Sequence, residues 1–252
     1  VLPVFVGRAT RAVEFFEHAE KTYEATLRLG ISTDTEDITG EVLEEKPVNV
    51  TEEQFLETLK AFRGEIFQIP PMYSAIKING QKLCDLARKG REVERKPRPV
   101  TIYALDCLSF EGQTAKLRIH CSKGTYIRTL CQDIARACES SGHMAYLMRT
   151  KSGVFGADTA VALSRLEEAE HPEEFLMDMN TSLADMPALT VTDAVMTSRV
   201  QNGLSQRVPG AADLAEGTVC RALDKEGNLL AIGEIVKSSF QPNKVFKCGE
   251  NA

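Results

Sequence analysis

The stretch from His120 to Leu130 constrains the fold of this chain more than any other part of it. It reads His-Cys-Ser-Lys-Gly-Thr-Tyr-Ile-Arg-Thr-Leu and follows residues 117–119, where apolar and polar side chains begin to alternate. Such alternation is typical of a half-buried β-strand, and Gly124 is a signal for its end. Apolar residues then recur at helical spacing from Ile127 to Cys138. The pattern predicts a strand that runs through a glycine turn into an amphipathic helix.

This turn has the chemistry of an anion-binding site. Ser122, Lys123, Thr125 and Arg128 fall near the first turn of the predicted helix, where free backbone N–H groups and the helix dipole favour a carboxylate or phosphate. The charge of Arg128 gains nothing from that dipole, so an arginine there indicates a specific partner. A Walker loop is absent. His120 and Ser122 are merely alternate strand residues without a G-x-S-x-G elbow, which argues against a serine hydrolase.

Other parts of the chain carry clear secondary-structure patterns. The predictions are a strand-like run over 1–7, a strand over 23–31, a polar loop over 32–40, a helix capped by Thr51, paired strands over 99–110 and 114–121, and a small, mostly β tail from about Thr190 with a turn at 224–228. The expected domains are residues 1–185 and residues 186–252.

Composition limits the class of protein. The 252 residues are 43% hydrophobic, which suits one large domain and one small one. No apolar run approaches the roughly 20 residues of a membrane span, and no export signal is visible. The seven cysteines form no C-x-x-C pair and are expected to be reduced core thiols. We therefore expect a soluble, cytoplasmic protein that does not associate with membranes.

The net charge of −6 argues against nucleic-acid binding, but the charge is unevenly distributed. Residues 77–98 hold eight Lys and Arg against three acids. Because salt confines each charge to about 8–10 Å, a locally basic surface can bind phosphates on an acidic protein. The alternative is a solvated charged face.

Two further segments are suggestive without being decisive alone. Tyr23 heads a predicted strand and could stack on a base, although core packing is the alternative. The spacing Asp34-x-x-Asp37-x-x-Gly40 lacks the order of a calcium loop and indicates a capped turn instead. The segment 70–77 is made rigid and extended by two prolines.

In combination these segments resemble bacterial TruB-type tRNA pseudouridine synthases, from the first residue to about Phe155 and more loosely beyond. The matching segments are Val1 to Thr10, Tyr23 with the stretch from Leu29 to Gly40, Gln68 to Lys77 with Gly80 and Ala87-Arg88, Cys121 to Thr129, and Tyr146 to Thr150. The resemblance implies an α/β (α+β) fold with a mixed, mainly antiparallel central sheet flanked by helices, and a small C-terminal RNA-binding domain of mostly β structure.

The activity implied by the resemblance is the isomerisation of uridine to pseudouridine in the tRNA T loop (U55), with a flipped base and no cofactor or metal. Arg128 would pair with the catalytic aspartate, Tyr23 would stack on the uracil and is a candidate acceptor of the C5 proton, and Leu147 would wall the pocket. The basic side chains expected to bind the T stem-loop are those of Lys21, Lys77, Arg88, Lys89, Lys123 and Arg149. A monomer is expected.

The family's catalytic aspartate lies in a G-T-L-D-P motif, which these 252 residues do not contain. Asp34, Asp37, Asp106 and Asp133 stand in no comparable context, so no nucleophile is assigned. We expect the segment with the aspartate to be missing or to exist as a separate N-terminal fragment, and the chain alone to be inactive. The main alternative is a non-catalytic RNA-binding protein or tRNA chaperone. A nucleotide-binding protein that uses the turn 122–125 is a weaker one.

Overall fold

The computed structural model describes residues 1–246, so Cys248 lies outside the described part. The α-helices are α1 (Val13–Phe16), α2 (Glu52–Lys60), α3 (Leu83–Ala87), α4 (Ile127–Ala137), α5 (Leu163–Glu167), α6 (Met179–Ser182) and α7 (Ala194–Gln201). The β-strands are β1 (Lys21–Leu29), β2 (Ile31–Thr33), β3 (Val42–Glu45), β4 (Gly64–Gln68), β5 (Lys77–Ile78), β6 (Gln81–Lys82), β7 (Arg98–Phe110), β8 (Thr114–Cys121), β9 (Gly142–Ser152), β10 (Phe155–Gly156), β11 (Ala188–Thr190), β12 (Val219–Leu223), β13 (Leu229–Val236) and β14 (Ser239–Val245). Short 3-10 helices cover Gly7–Ala12, Pro172–Phe175 and Ala211–Asp213.

The chain divides into two compact units. The first comprises Val1–Leu2 and Glu17–Asp158, and the second comprises Pro3–Phe16 and the described residues from Thr159 to Phe246. Within residues 1–246, no helix is long and apolar enough to cross a membrane. The six cysteines in the same range are free thiols.

The first unit is built on a six-stranded sheet in the order β10-β9-β1-β8-β7-β4. Every neighbouring pair in it is antiparallel. The predicted strand pair 99–110 and 114–121 is confirmed, because β7 and β8 form an antiparallel hairpin. The helix capped by Thr51 is also confirmed: its hydroxyl accepts a hydrogen bond from the Gln54 N–H, and the Gln54 side chain accepts one from the Thr51 N–H.

Helix α4 packs on one face of this sheet, and the core lies between them. Leu27 of β1, Ile119 of β8, and Leu130 and Ile134 of α4 are fully buried in it. The start of β9 approaches the helix closely. A Cβ on Gly142 would lie 2.4 Å from that of Ala135, so only glycine fits there.

The second unit contains a four-stranded sheet in the order β11-β12-β13-β14. Strands β11 and β12 are parallel, and the other two pairs are antiparallel. Helix α7 lies between β11 and β12 in the chain. The predicted turn at 224–228 is confirmed, because the Asp224 carboxylate accepts hydrogen bonds from the N–H groups of Glu226 and Asn228. The antiparallel six-stranded sheet and the mixed four-stranded sheet, together with the helices, confirm the predicted α+β class.

The predicted strand over 1–7 is wrong. Val1–Val6 is extended but belongs to no strand, and Gly7 begins a 3-10 helix. Pro3 has no N–H to give to a ladder, and Leu2, Val4 and Val6 are exposed. An apolar run alone therefore did not make a strand here.

Candidate functional site

The turn between β8 and α4 is held by a side chain from a distant strand. Tyr126, the N-cap of α4, makes no side-chain cap hydrogen bond among the described residues. Instead, the Gln68 Oε1 atom accepts a hydrogen bond from the Tyr126 N–H at 3.0 Å, and Gln68 Nε2 donates to the Tyr126 carbonyl at 3.2 Å. Gln68 is only 2% exposed. The turn that delivers the first residues of α4 is therefore fixed from the end of β4.

Arg128, in the first turn of α4, is the centre of a charged network. Its Nη1 atom lies 3.0 Å from Asp37 Oδ2 and 3.3 Å from the Thr35 carbonyl oxygen. Its Nη2 atom donates to the Tyr73 carbonyl at 2.9 Å. The side chains of Arg128 and Asp37 are 24% and 18% exposed, so solvent screens this pair less than a surface ion pair. The sequence predicted a specific partner for Arg128 but did not identify Asp37.

Hydrogen bonds within its own loop hold the Asp37 carboxylate that pairs with Arg128. Its Oδ1 atom accepts hydrogen bonds from the Thr35 hydroxyl at 2.9 Å, and from the Thr39 N–H and hydroxyl at 3.0 and 2.6 Å. Burial by itself would raise the pKa of Asp37, but these hydrogen bonds and the charge of Arg128 outweigh it and lower the pKa. Asp37 is therefore held as a carboxylate.

Gly40 allows the same loop to close. A Cβ at this position would lie 2.4 Å from the side-chain oxygens of both Asp34 and Thr35, and 2.9 Å from the backbone nitrogen of Thr35. Asp34 Oδ1 accepts a hydrogen bond from the Glu41 N–H at 2.8 Å. The expectation of a capped turn rather than a calcium loop fits these contacts. Among the described residues, no group of three or more His, Cys, Asp or Glu could hold a metal ion.

Tyr23 and Leu147 lie on adjacent strands of the central sheet. Tyr23 of β1 pairs in register with Arg149 of β9, and Ala25 pairs with Leu147. Because side chains two apart on a strand share a face, Tyr23 and Leu147 lie on the face that α4 covers. Tyr23 packs against the core, while Leu147 is 40% exposed. The distance between this pair and Arg128 stays a prediction.

The surroundings of Tyr23 keep its phenol protonated at neutral pH. Burial and the nearby Cys121 raise the pKa of Tyr23, and the charge of Arg149 together with a hydrogen bond from its side chain opposes them only in part. Tyr23 is therefore a neutral aromatic surface at neutral pH.

Three of the predicted RNA-binding residues form a cationic cluster near one end of β1. Burial lowers the pKa of Lys21, and the charges of Arg149 and Lys123 lower it further. Lys21 Nζ donates to the Ala19 carbonyl at 2.5 Å, and Lys123 Nζ lies 2.6 Å from His18 Nδ1. The charges of Arg149 and Lys123 thus repel that of Lys21, and an anion such as a phosphate would relieve the repulsion.

The other three predicted RNA-binding residues lie in the basic segment 77–98. Lys77 stands opposite Lys82 in the β5–β6 hairpin. Arg88 follows α3, with its guanidinium 3.7 Å from Asp85, and Lys89 is exposed. Arg95 anchors the segment 77–98, since its Nη1 atom donates a hydrogen bond to the Pro70 carbonyl at 3.2 Å.

Two protein-family models together match residues 1–184 of the chain. Residues 1–127 match the family model described as TruB family pseudouridylate synthase (N-terminal domain), and residues 128–184 match that of the tRNA pseudouridylate synthase B C-terminal domain. The chain is 42% identical over 241 residues to tRNA pseudouridine synthase B of Pseudomonas fluorescens (strain Pf0-1), which covers 93% of this chain and 78% of that protein. It is 43% identical over 203 residues to the protein of the same name from Alkaliphilus oremlandii (strain OhILAs). That match covers 81% of this chain and 68% of that protein.

A similar fold occurs among solved structures. A chain in the crystal structure of a Cbf5-Nop10-Gar1 complex superposes with a TM-score of 0.69 at 25% identity. The match covers 98% of this chain and 71% of that one.

Proposed function

Because this chain belongs to the TruB family of pseudouridylate synthases, we propose that, together with a G-T-L-D-P segment that supplies the catalytic aspartate, it isomerises uridine to pseudouridine in the T loop of tRNA, at U55. The observation that carries the proposal is the position of Arg128, half-enclosed at the start of α4 and oriented by Asp37 and the Tyr73 carbonyl. The family match and the fold shared with a Cbf5 complex chain support it.

The reaction breaks the C1′–N1 bond of the uridine, turns the uracil, joins C5 to C1′, releases the C5 proton and leaves N1 protonated. These atoms are inaccessible in a stacked loop, so the nucleotide must be flipped into the protein. Tyr23 would then stack on the uracil, and Leu147 would close the side of the pocket. No cofactor is needed, because the isomerisation involves no net oxidation or reduction.

Arg128 has donor capacity left for a second carboxylate. A guanidinium has five N–H donors, and the three contacts with Asp37, Thr35 and Tyr73 use only Nη1 and Nη2. The Nε–H group takes part in none of these three contacts. A catalytic aspartate carried by a G-T-L-D-P segment could therefore pair with Arg128 while Asp37 remains bound.

Phosphate contacts complete the proposal. The cluster around Lys21, Lys123 and Arg149 would hold the backbone near the flipped nucleotide, and Lys77, Arg88 and Lys89 would contact the T stem. Residues 1–185 would form the catalytic domain, and residues 186–252, which include the sheet from β11 to β14, the small RNA-binding domain. We propose a monomer that works in the cytoplasm.

A second function has one specific observation in its favour. The 252 residues contain no aspartate in a G-T-L-D-P context, as would suit a non-catalytic RNA-binding protein or tRNA chaperone on the same scaffold. That protein would bind tRNA without changing U55.

Mapping of the modified position separates the two functions. The chain, with a family member's G-T-L-D-P segment fused before Val1, is incubated with an unmodified tRNA transcript. Carbodiimide treatment and reverse transcription then locate pseudouridine. We expect a stop at U55 and none with a U55C transcript. Tight tRNA binding with no stop at any uridine would support the chaperone instead.

A further inference from the structure

Glu36, the residue before Asp37, links the same loop to the same helix a second time. The Thr129 hydroxyl donates to Glu36 Oε2 at 2.6 Å, beside the contact of Arg128 with Asp37 at 3.0 Å. Two consecutive loop residues thus bind two consecutive helix residues. The sequence between them spans about ninety positions, so neither contact is imposed by local structure.

The backbone of Glu36 is held in a conformation that a non-glycine residue rarely adopts. Its φ is +62°, in the left-handed region where the Cβ of an L-residue approaches the following carbonyl oxygen. Such a conformation persists when the surroundings fix it. Here the Glu36 N–H donates to the Thr33 carbonyl at 3.2 Å, and the Met144 N–H donates to the Glu36 carbonyl at 3.0 Å. The loop is thus attached to β9 through the backbone and to α4 through the side chain.

The contact with Thr129 is largely shielded from water. Thr129 is 4% exposed, and burial raises the pKa of Glu36. The charged groups that face Glu36 are Arg128, Asp133 and Arg136. A carboxyl group in such a place needs a hydrogen-bond partner, and the Thr129 hydroxyl supplies one.

We propose that Glu36 is a positioning residue for Arg128: its hydrogen bond to Thr129 sets the register of the 34–40 loop against α4, so that Asp37 receives the guanidinium. The geometric part of this proposal, the register of the 34–40 loop against α4, rests on the contacts alone. Its consequence for isomerisation rests on the proposed function of Arg128.

Titration of Asp37 tests the geometric part without any activity. The full chain is labelled with carboxyl-13C aspartate, and the Asp37 resonance, assigned with D37N, is followed by NMR against pH. In Thr129→Val the loop loosens and the Asp37 pKa rises toward its ordinary value, because Arg128 stabilises the carboxylate less well. Thr129→Ser keeps the hydroxyl, and we expect the wild-type pKa.

Variants at position 36 keep the test decisive if Thr129→Val does not fold. Glu36 is already protonated in the pH range where Asp37 titrates, because the pKa of Glu36 is raised and that of Asp37 is lowered. Glu36→Gln keeps an acceptor for Thr129, so we expect the Asp37 pKa to stay at the wild-type value. Glu36→Ala removes the acceptor, and we expect the Asp37 pKa to rise. An Asp37 pKa that is unchanged in Thr129→Val, or that falls in Glu36→Ala, overturns the proposal.

The functional part is measured in the chain fused to the G-T-L-D-P segment. We expect Glu36→Ala and Thr129→Val to lower kcat about tenfold, the equivalent of one hydrogen bond near a charged group. KM for tRNA should not change, and Thr129→Ser should restore kcat. A raised Asp37 pKa with wild-type kcat would contradict the role proposed for Arg128 in catalysis, while the positioning geometry would stand.

Discussion

The side chain of Gln68 exchanges two hydrogen bonds with the backbone of Tyr126, the residue before α4. A carboxamide has one donor and one acceptor group in a fixed plane, as a peptide unit does. Gln68 therefore acts on Tyr126 like a neighbouring strand. It connects the edge strand β4 to the turn that presents Arg128, so the position of Arg128 depends on a residue sixty positions earlier.

We expect Gln68→Ala to destabilise the first unit by about 1–3 kcal/mol, because the Tyr126 N–H loses its partner and the Tyr126 carbonyl keeps only the hydrogen bond from the Leu130 N–H. Urea denaturation of the full chain measures the change. Gln81→Ala, at an exposed position of β6, is the matched control and should change stability by less than about 0.5 kcal/mol. Equal stabilities of the two variants would contradict the account of this contact.

The lowered pKa of Asp37 predicts a pH dependence of stability with a definite sign. A carboxyl group whose pKa is depressed in the folded state stabilises that state above its unfolded pKa of about 4. This contribution is lost as the pH falls through the lower, folded pKa. Asp37→Asn should therefore be less stable than the wild type at pH 7, and the difference should shrink below pH ~4.

Chemical denaturation of both proteins between pH 3 and pH 8 tests this prediction. Asp34→Asn is a control in the same loop, since Asp34 contacts the Glu41 N–H. A difference between Asp37→Asn and the wild type that grows as the pH falls would show that the pKa of Asp37 is not depressed.

Replacement of Tyr23 separates stacking from hydrogen bonding. Tyr23→Phe keeps the aromatic face, so its affinity for a T stem-loop RNA should stay near that of the wild type. Tyr23→Ala should lose about 1–3 kcal/mol of binding free energy, the usual range for one stacked base. Tyr146→Ala is the control, because Tyr146 pairs with Thr26 and so lies on the other face of the sheet. Equal losses in Tyr23→Ala and Tyr146→Ala would contradict the placement of the uracil.

The basic segment 77–98 predicts a particular salt dependence of tRNA binding. Each phosphate contact contributes roughly 0.9 to the slope of log affinity against log salt in the duplex limit. The double variant Arg88→Ala/Lys89→Ala should therefore have a shallower slope by up to about twice that amount. Lys46→Ala/Lys60→Ala removes the same charge at residues that pair with Glu44 and Glu57. If both double variants keep the wild-type slope, the basic segment is only a solvated face.

Local patterns were sufficient to predict much of the fold. The hairpin of β7 and β8, the capped helix α2 and the passage from β8 into α4 all follow from periodicity and from single turn residues such as Gly124. These signals lie within a few residues of one another. The apolar run at Val1–Gly7 was wrongly predicted as a strand, because Pro3 cannot donate to a ladder and apolar residues alone do not show whether a strand has a partner.

The contacts of the site were less accessible to sequence reasoning. The partner of Arg128 in Asp37 lies 91 positions away, and Gln68 lies 58 positions from Tyr126. The sequence around Asp37 predicted a capped turn. That prediction fits the loop but does not show which residues the loop contacts. The left-handed backbone of Glu36 could not be predicted from the sequence either, since glycine or asparagine would be the usual residue there.

A further prediction concerns the isomerisation activity of these 252 residues alone. Isomerisation requires a carboxylate held against the flipped nucleotide, and Arg128 alone supplies only a positive charge. A polypeptide of these 252 residues should therefore bind tRNA without releasing the C5 proton of U55. If it does release the proton, Asp34 and Asp37 are the first carboxylates to replace, because they follow the strand of Tyr23.

Release of tritium from a T-loop RNA with C5-tritiated uridine tests the central claim most directly, because the label leaves only when C5 is joined to the sugar. The 252-residue polypeptide is compared with the same chain fused to a G-T-L-D-P segment, each with and without Arg128→Ala. We expect release from the fused chain alone, and its loss in Arg128→Ala. Equal release by both polypeptides, or none from the fused chain, would contradict the account.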